Sequence, residues 1–232
     1  MTGLMLWAIP LLPMTLGLAL LLAGRRADRL AGMTSVVAAF ASGGLAALAW
    51  AERPESAVPW LPAGKTVLEL MLDTEGIGAP LAVLVASTAA LVLIYALRDI
   101  GRSEARARFF GFMALFTGGM QLVVLADDLL TVLIGFELVG ACSYALIGFW
   151  WREPPRLVAA NRAFVTTRAA DLGLYLAAMA AFAGSGTLAL DDLTSVPDPW
   201  RSVMVLGLIT AAAGKSAQLP FSGWLSGAML GP

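Results

Sequence analysis

The stretch from residue 129 to residue 151, LLTVLIGFELVGACSYALIGFWW, constrains the fold more than any other. It is apolar throughout except for one carboxylate, Glu137. Crossing the ~30 Å hydrocarbon core of a bilayer takes about 20 helical residues, and this run supplies them. Inside hydrocarbon no water satisfies backbone N–H and C=O groups, so the run must be a helix. Glu137 follows Leu129 by eight residues, which sets it roughly 12 Å below the outer end at ~1.5 Å per residue. A carboxylate at that depth is costly and is by default a marker of an ion or proton pathway.

The rest of the chain has the same character. Of its 232 residues 59% are hydrophobic and only 13% charged, with a mean hydropathy of +0.82. A soluble domain carries roughly 25% charged residues, so this composition indicates a polytopic membrane protein. The first apolar run has no basic segment before it and no small-residue cleavage site after it, and reads as a true span rather than a signal peptide. One cysteine, Cys142, cannot form a disulfide framework within the chain. The absence of histidine removes histidine-ligated haem and the usual zinc sites. No phosphate-binding loop or dinucleotide fingerprint is present. No cofactor, metal or catalytic redox residue is therefore expected, and nothing points to a nucleic-acid partner.

Seven hydrophobic segments can be drawn, at about 5–23, 31–50, 78–97, 109–126, 129–150, 163–184 and 201–230. The expected fold is all-α, with about seven transmembrane helices in the lipid bilayer. One set of loops holds Arg25, Arg26, Arg29, Arg98, Arg102, Arg106, Arg108, Arg152, Arg156 and Arg162. The alternate loops hold only Arg53, Lys65 and Arg201 as basic residues. That bias predicts cytoplasmic basic loops and an outer N-terminus. Trp7, Trp50, Trp150, Trp151 and Trp200 fall at segment ends, where amphipathic rings prefer the headgroup region. Residues 51–66 read as an outer loop, and 67–77 as a short amphipathic piece lying on the surface. Asp127 and Asp128 read as a solvated turn and helix N-cap.

Four charges remain inside predicted spans: Glu137, Arg168, Asp171 and Lys215. Arg168 and Asp171 are three apart and share a helix face, so a purely structural pair is one reading of them. On the expected boundaries Glu137 is nearest the outside, Lys215 near the middle, and Asp171 and Arg168 further in. This is a string of charges rather than a cluster. In the seventh segment Gly214 precedes Lys215, and Pro220 follows it by five residues. Proline removes a backbone donor, so the seventh helix is expected to break there. Broken helices at membrane depth line transport sites. The proton affinity of a buried lysine depends on whether a carboxylate stands beside it, so a Glu137–Lys215 pair would act as a geometry-dependent proton relay.

Three stretches, FELVGACSYALIGFWW, NRAFVTTRAADLGL and GKSAQLPFSGWLSGAMLGP, resemble the antiporter-like proton-channel subunits of respiratory complex I, the long distal L or 5 type above all. The ADDLL stretch and Arg108-Phe109-Phe110 match as well. The resemblance covers about residues 100–232 well and the first 100 in layout only. It implies half of an inverted-repeat antiporter-like fold, with 1–108 as peripheral helices 1–3 and 109–232 as helices 4–7, most of a first half-channel. It implies that Glu137 and Lys215 are the coupled proton-relay pair, with Asp171 and Arg168 as supporting charges. The implied function is proton translocation driven by NADH:quinone oxidoreduction elsewhere in a complex in the bacterial plasma membrane. The implied partners are other membrane subunits and protons, or sodium ions. A multisubunit cation/proton antiporter, a proton-coupled inorganic-carbon transporter and a non-transporting assembly protein are the alternatives. Two departures stand out. Gly78-Ala79-Pro80-Leu81 lacks the acid of the family's aspartate-proline-leucine-serine motif. The chain also stops at Gly231-Pro232, where the family continues into further helices, so a truncated or split subunit is expected.

Overall fold

A computed structural model describes residues 3–63, 66–101 and 104–232; Lys65 and Arg102, assigned above to loops, lie outside them. The order of elements is α1 (Gly3–Leu6), α2 (Ala8–Ala23), α3 (Asp28–Glu52), β1 (Ser56–Ala63), β2 (Thr66–Leu72), α4 (Gly78–Asp99), α5 (Arg106–Leu125), α6 (Leu129–Ile147), α7 (Pro154–Ser185), α8 (Trp200–Lys215) and α9 (Leu225–Ala228). Among the described residues, the helical runs Ala8–Glu52, Gly78–Asp99, Arg106–Leu125 and Leu129–Ile147 are long and apolar enough to cross a membrane. The first of these is two helices. Gly24, at φ +55°, turns the chain where a side chain would be strained, and Ser42 then comes back to Ile9.

Two compact units divide the chain. The first comprises Met1–Ala57, Met71–Ala126 and Ile134–Cys142. Its helices are packed inside out relative to a soluble bundle. On α4 the buried residues are Ala79, Ala82, Ala86, Ala90, Leu93 and Ala96, while Leu84, Leu91, Ile94 and Tyr95 are exposed. Small residues let helix backbones approach, and bulky apolar ones face hydrocarbon at no cost. The α2–α5 contact is the tightest case, since a Cβ on Gly17 would lie 2.6 Å from the Gly111 carbonyl oxygen. Charges at the helix ends act as caps. Asp28 accepts a 2.8 Å bond from the Ala107 N–H at the start of α5, and Arg106 donates to the Leu97 and Ile100 carbonyls at the end of α4.

Within this unit Gln121 is completely buried. Its Nε2 donates to the Ala82 carbonyl at 3.0 Å and to Ser42 Oγ at 3.3 Å, and Ser42 donates onward to the Ile9 carbonyl at 2.9 Å. One side chain thus ties α5 to α2, α3 and α4.

The second unit comprises Val58–Leu70, Asp127–Leu133 and Ser143–Pro232. Helices α7 and α8 dominate it. Their contact repeats the small-residue rule: Ala170, Gly173 and Ala177 of α7 meet Gly207 and Gly214 of α8, with Leu172, Leu176, Met179, Leu206 and Ile209 turned outward.

Two expectations are corrected. Residues 56–63 and 66–72 pair as a two-stranded sheet rather than forming a loop and a surface-lying piece. Leu68, Leu70 and Leu72 alternate with the exposed Val67 and Glu69, and that period of two is a strand's. The sixth predicted helix begins at Pro154 rather than near 163. Proline fits the first helical turn, and the polar Arg156, Asn161 and Arg162 that suggested a loop are helical.

Candidate functional site

The nine-residue extension of α7 changes the depth of its charges. Asp171 follows Pro154 by 17 residues and precedes Ser185 by 14, which puts it near the middle of the 32-residue helix. It is buried, its side chain only 2% exposed. Lys215, the last residue of α8, brings its Nζ to 3.0 Å from Asp171 Oδ2. Arg168, one turn before Asp171, places a guanidinium nitrogen 3.8 Å from the same oxygen and its plane over Phe164, 5.2 Å from the ring centre. The expected ordering, with Asp171 and Arg168 deeper than Lys215, is therefore replaced by three charges gathered within the second unit.

Two cations share one buried carboxylate here. The contacts are ionic rather than well-angled hydrogen bonds, because neither Asp171 oxygen has a hydrogen-bond partner of proper geometry among the described residues. Such a set is sensitive to position: removing one partner of a buried pair leaves an uncompensated charge, which costs about 3–5 kcal/mol. Transfer of the Lys215 proton would leave Arg168 and Asp171 as a balanced pair. Charge arithmetic of this kind lets a lysine exchange protons without unfolding its surroundings.

The helix break lies next to this pair. α8 closes in a Schellman motif: the Gln218 N–H bonds to the Ala213 carbonyl at 2.8 Å and the Ala217 N–H to the Gly214 carbonyl at 3.3 Å. Ala217 occupies the left-handed position at φ +52°, which glycine usually fills. Pro220 lies three residues beyond it, outside the helix, where proline commonly follows a helix end. Gly214 is inside the last turn, and a Cβ there would run into Ala170 of α7. The glycine is therefore needed for helix contact at the residue before Lys215, and the turn itself is made at Ala217. Gln218 bonds locally, its Nε2 to the Ser216 carbonyl at 3.2 Å.

Glu137 is on the part of α6 that belongs to the first unit and is half-buried. Gly135, Leu138 and Val139 pack against Gly119 and Val123 of α5. At ~100° per residue Glu137 lies roughly 200° around the helix from Gly135, away from α5. At the start of α6, Asp128 is the N-cap as expected, but it is buried rather than solvated. It accepts from the Thr131 N–H at 2.8 Å and from the Thr131 hydroxyl.

Sequence reasoning missed three features: the direct Asp171–Lys215 contact, the left-handed Ala217, and Trp224, whose indole N–H donates to the Gly214 carbonyl at 3.0 Å. The Pro154-Pro155 pair was the available signal for the first, because a helix starting there moves Asp171 to mid-height. No local signal marks Ala217 as left-handed.

Residues 126–232 match the family described as NADH:quinone oxidoreductase/Mrp antiporter, transmembrane region. NADH-quinone oxidoreductase subunit L of Mycobacterium tuberculosis (strain H37Rv) is 32% identical over 240 residues, covering 97% of this chain and 38% of the relative. Subunit L of Escherichia coli (strain K12) is 35% identical over 183 residues, covering 75% of this chain and 29% of the relative. Among solved structures, the Mrp complex from Dietzia sp. DQ12-45-1b matches with a TM-score of 0.84 and 29% identity, over 98% of this chain and 25% of that one. The chain thus spans less than two-fifths of the length of these relatives.

Proposed function

Because the chain belongs to the NADH:quinone oxidoreductase/Mrp antiporter family of multi-pass membrane subunits, we propose that it works as a proton-translocating portion of a respiratory NADH:quinone oxidoreductase, with Lys215 and Asp171 at the centre of the relay. The observation that carries this reading is the 3.0 Å contact between Lys215 and a buried Asp171 at mid-helix, beside a helix break and a competing arginine. Lys215 is the proton carrier, Asp171 and Arg168 set its charge balance, and Glu137 is the second relay carboxylate suggested by the family resemblance. The half-channel assignment of residues 109–232, with 1–108 peripheral, belongs to the same proposal. So do other membrane subunits as partners and a bacterial plasma-membrane location with the N-terminus outside.

The chain itself supplies no redox chemistry in this reading. Quinone reduction elsewhere in the complex moves charge near the relay, and the proton follows. The Mrp structural match supports a second reading, the same relay within a cation/proton antiporter. Inverted membrane vesicles carrying Lys215→Ala, with proton uptake and quinone-linked NADH oxidation recorded together, test the proposal. In an assembled complex, proton uptake falls with coupled oxidation if Lys215 is the carrier. Unchanged uptake would refute the role. Uptake that depends on external sodium and not on NADH would select the antiporter reading.

A further inference from the structure

We infer that Trp224 is a positioning residue of the relay, holding Lys215 against Asp171 through its indole N–H. The inference rests on the relay reading above. In the last turn of α8 the Gly214 carbonyl meets the backbone N–H groups of Ser216 and, at 3.3 Å, of Ala217. The Trp224 indole meets the same carbonyl at 3.0 Å, from a short 3₁₀ turn, Ser222–Trp224, that follows the helix break. On the other side of the same residue, Ala170 occupies the space a Gly214 Cβ would need. Gly214 is therefore fixed between α7 and Trp224, and its two neighbours in this arrangement are Ala170, which precedes Asp171, and Lys215, the cation of the pair.

Trp224 is itself anchored. It packs on the apolar cluster of Ile147, Ala159, Ala160 and Ala163. Past it, Arg156 donates to the Leu230 carbonyl at 2.7 Å, tying the end of the described chain to the first turn of α7. A hydrogen bond from a rigid, anchored ring to the carbonyl beside Lys215 thus ties the segment after the break to the position of the ammonium group. Neither half of the segment needs to touch the charges for this to work. A displacement of the segment is a displacement of Lys215 from Asp171.

The test separates the N–H from the ring. In the assembled complex, Trp224→Phe and replacement of Trp224 by benzothienylalanine, which keeps the ring shape and lacks the N–H, are compared for proton uptake and for the infrared band of the Asp171 carboxylate, assigned by its loss in Asp171→Asn. Both variants are expected to lose about fivefold in uptake, the fold-change of one hydrogen bond, and to shift the carboxylate band. If Trp224→Phe fails to assemble, the shape-preserving replacement decides alone. Wild-type uptake and an unshifted band with benzothienylalanine would overturn the inference. Should Lys215→Ala also pump normally, the relay reading has failed; should only the benzothienylalanine protein pump normally, the latch alone has failed.

Discussion

Gln121 in the first unit and Asp171 in the second are both buried polar side chains among helices packed by alanine and glycine, and they are satisfied very differently. The Nε2 of Gln121 reaches a carbonyl and a hydroxyl, and through the hydroxyl a second carbonyl, so four helices are joined without any charge, while its Oε1 is buried with no hydrogen-bond partner among the described residues. The carboxylate of Asp171 faces two cations and makes no well-angled hydrogen bond among the described residues. Neutral, directional bonds in a low-dielectric interior fix one arrangement. Ion contacts without directional bonds hold charges together while leaving their geometry and protonation free to change. The proposed relay thus lies in the region held by ion contacts, and the uncharged network lies in the other.

The largest expected effect comes from removing the shared carboxylate. Asp171→Asn takes from the partly exposed Lys215 and Arg168 the carboxylate they share, and should cost less than the about 3–5 kcal/mol of a fully buried pair. Thermal denaturation in detergent should show it, together with loss of proton uptake. If Asp171→Asn is as stable as the parent, the two cations have other strong partners and the contrast between the regions collapses. Next, Gly214→Ala forces a methyl into Ala170 and should cost roughly 1–3 kcal/mol, as overpacked interiors do. The double variant with Ala170→Gly should recover most of that loss, and failure to recover would show that the contact is not the reason for the glycine.

In the first region, Gln121→Leu removes both donated bonds and should lower stability by about 1–2 kcal/mol at most, given the modest worth of interhelical bonds in membranes. Proton uptake by the surviving complex should be unchanged, and a loss of uptake would erase the proposed division of labour. Ala217→Gly should raise stability by up to about 1 kcal/mol, because the left-handed position costs an L-residue that much. A destabilised variant would mean that the Schellman turn is not the native helix end.

The smallest effect lies outside the membrane. Hydrogen bonds from Arg201 and then Ser202, followed by the Arg201 charge, hold the Asp198 carboxyl below the usual carboxylate range. The stability this group adds is present above the unfolded carboxylate pKa and is lost as pH falls through the folded one. Asp198→Asn should flatten the acid side of the stability–pH curve slightly, and a curve identical to the parent would show that the exposed pair contributes nothing.

Much of this was legible in the sequence. The helices over 78–97, 109–126 and 129–150 match α4, α5 and α6 within three residues, because long apolar runs bounded by charges leave one solution in a bilayer. The charges Glu137, Arg168, Asp171 and Lys215 stood out because charge within such runs is costly. Their arrangement did not, since it depends on where α7 starts and on Gly214 meeting Ala170. The strands at 56–63 and 66–72 were missed because a mixed run containing Pro59 and Pro62 reads as loop, and strand pairing is a tertiary fact. The Trp224–Gly214 bond joins residues ten apart across a break, and no periodicity reports it.

The measurement that bears most directly on the relay is proton uptake by the neutral pair Asp171→Asn with Lys215→Met, in vesicles where assembly and uncoupled NADH oxidation are confirmed. Removing both charges leaves the net charge of the set unchanged, and because Arg168 loses its contact with Asp171, uptake is compared only where the complex has assembled. The expected result is an assembled complex that oxidises NADH with uncoupler present and has lost coupled proton uptake. Full, coupled uptake by the neutral pair would contradict it and reduce Lys215 and Asp171 to a packing device.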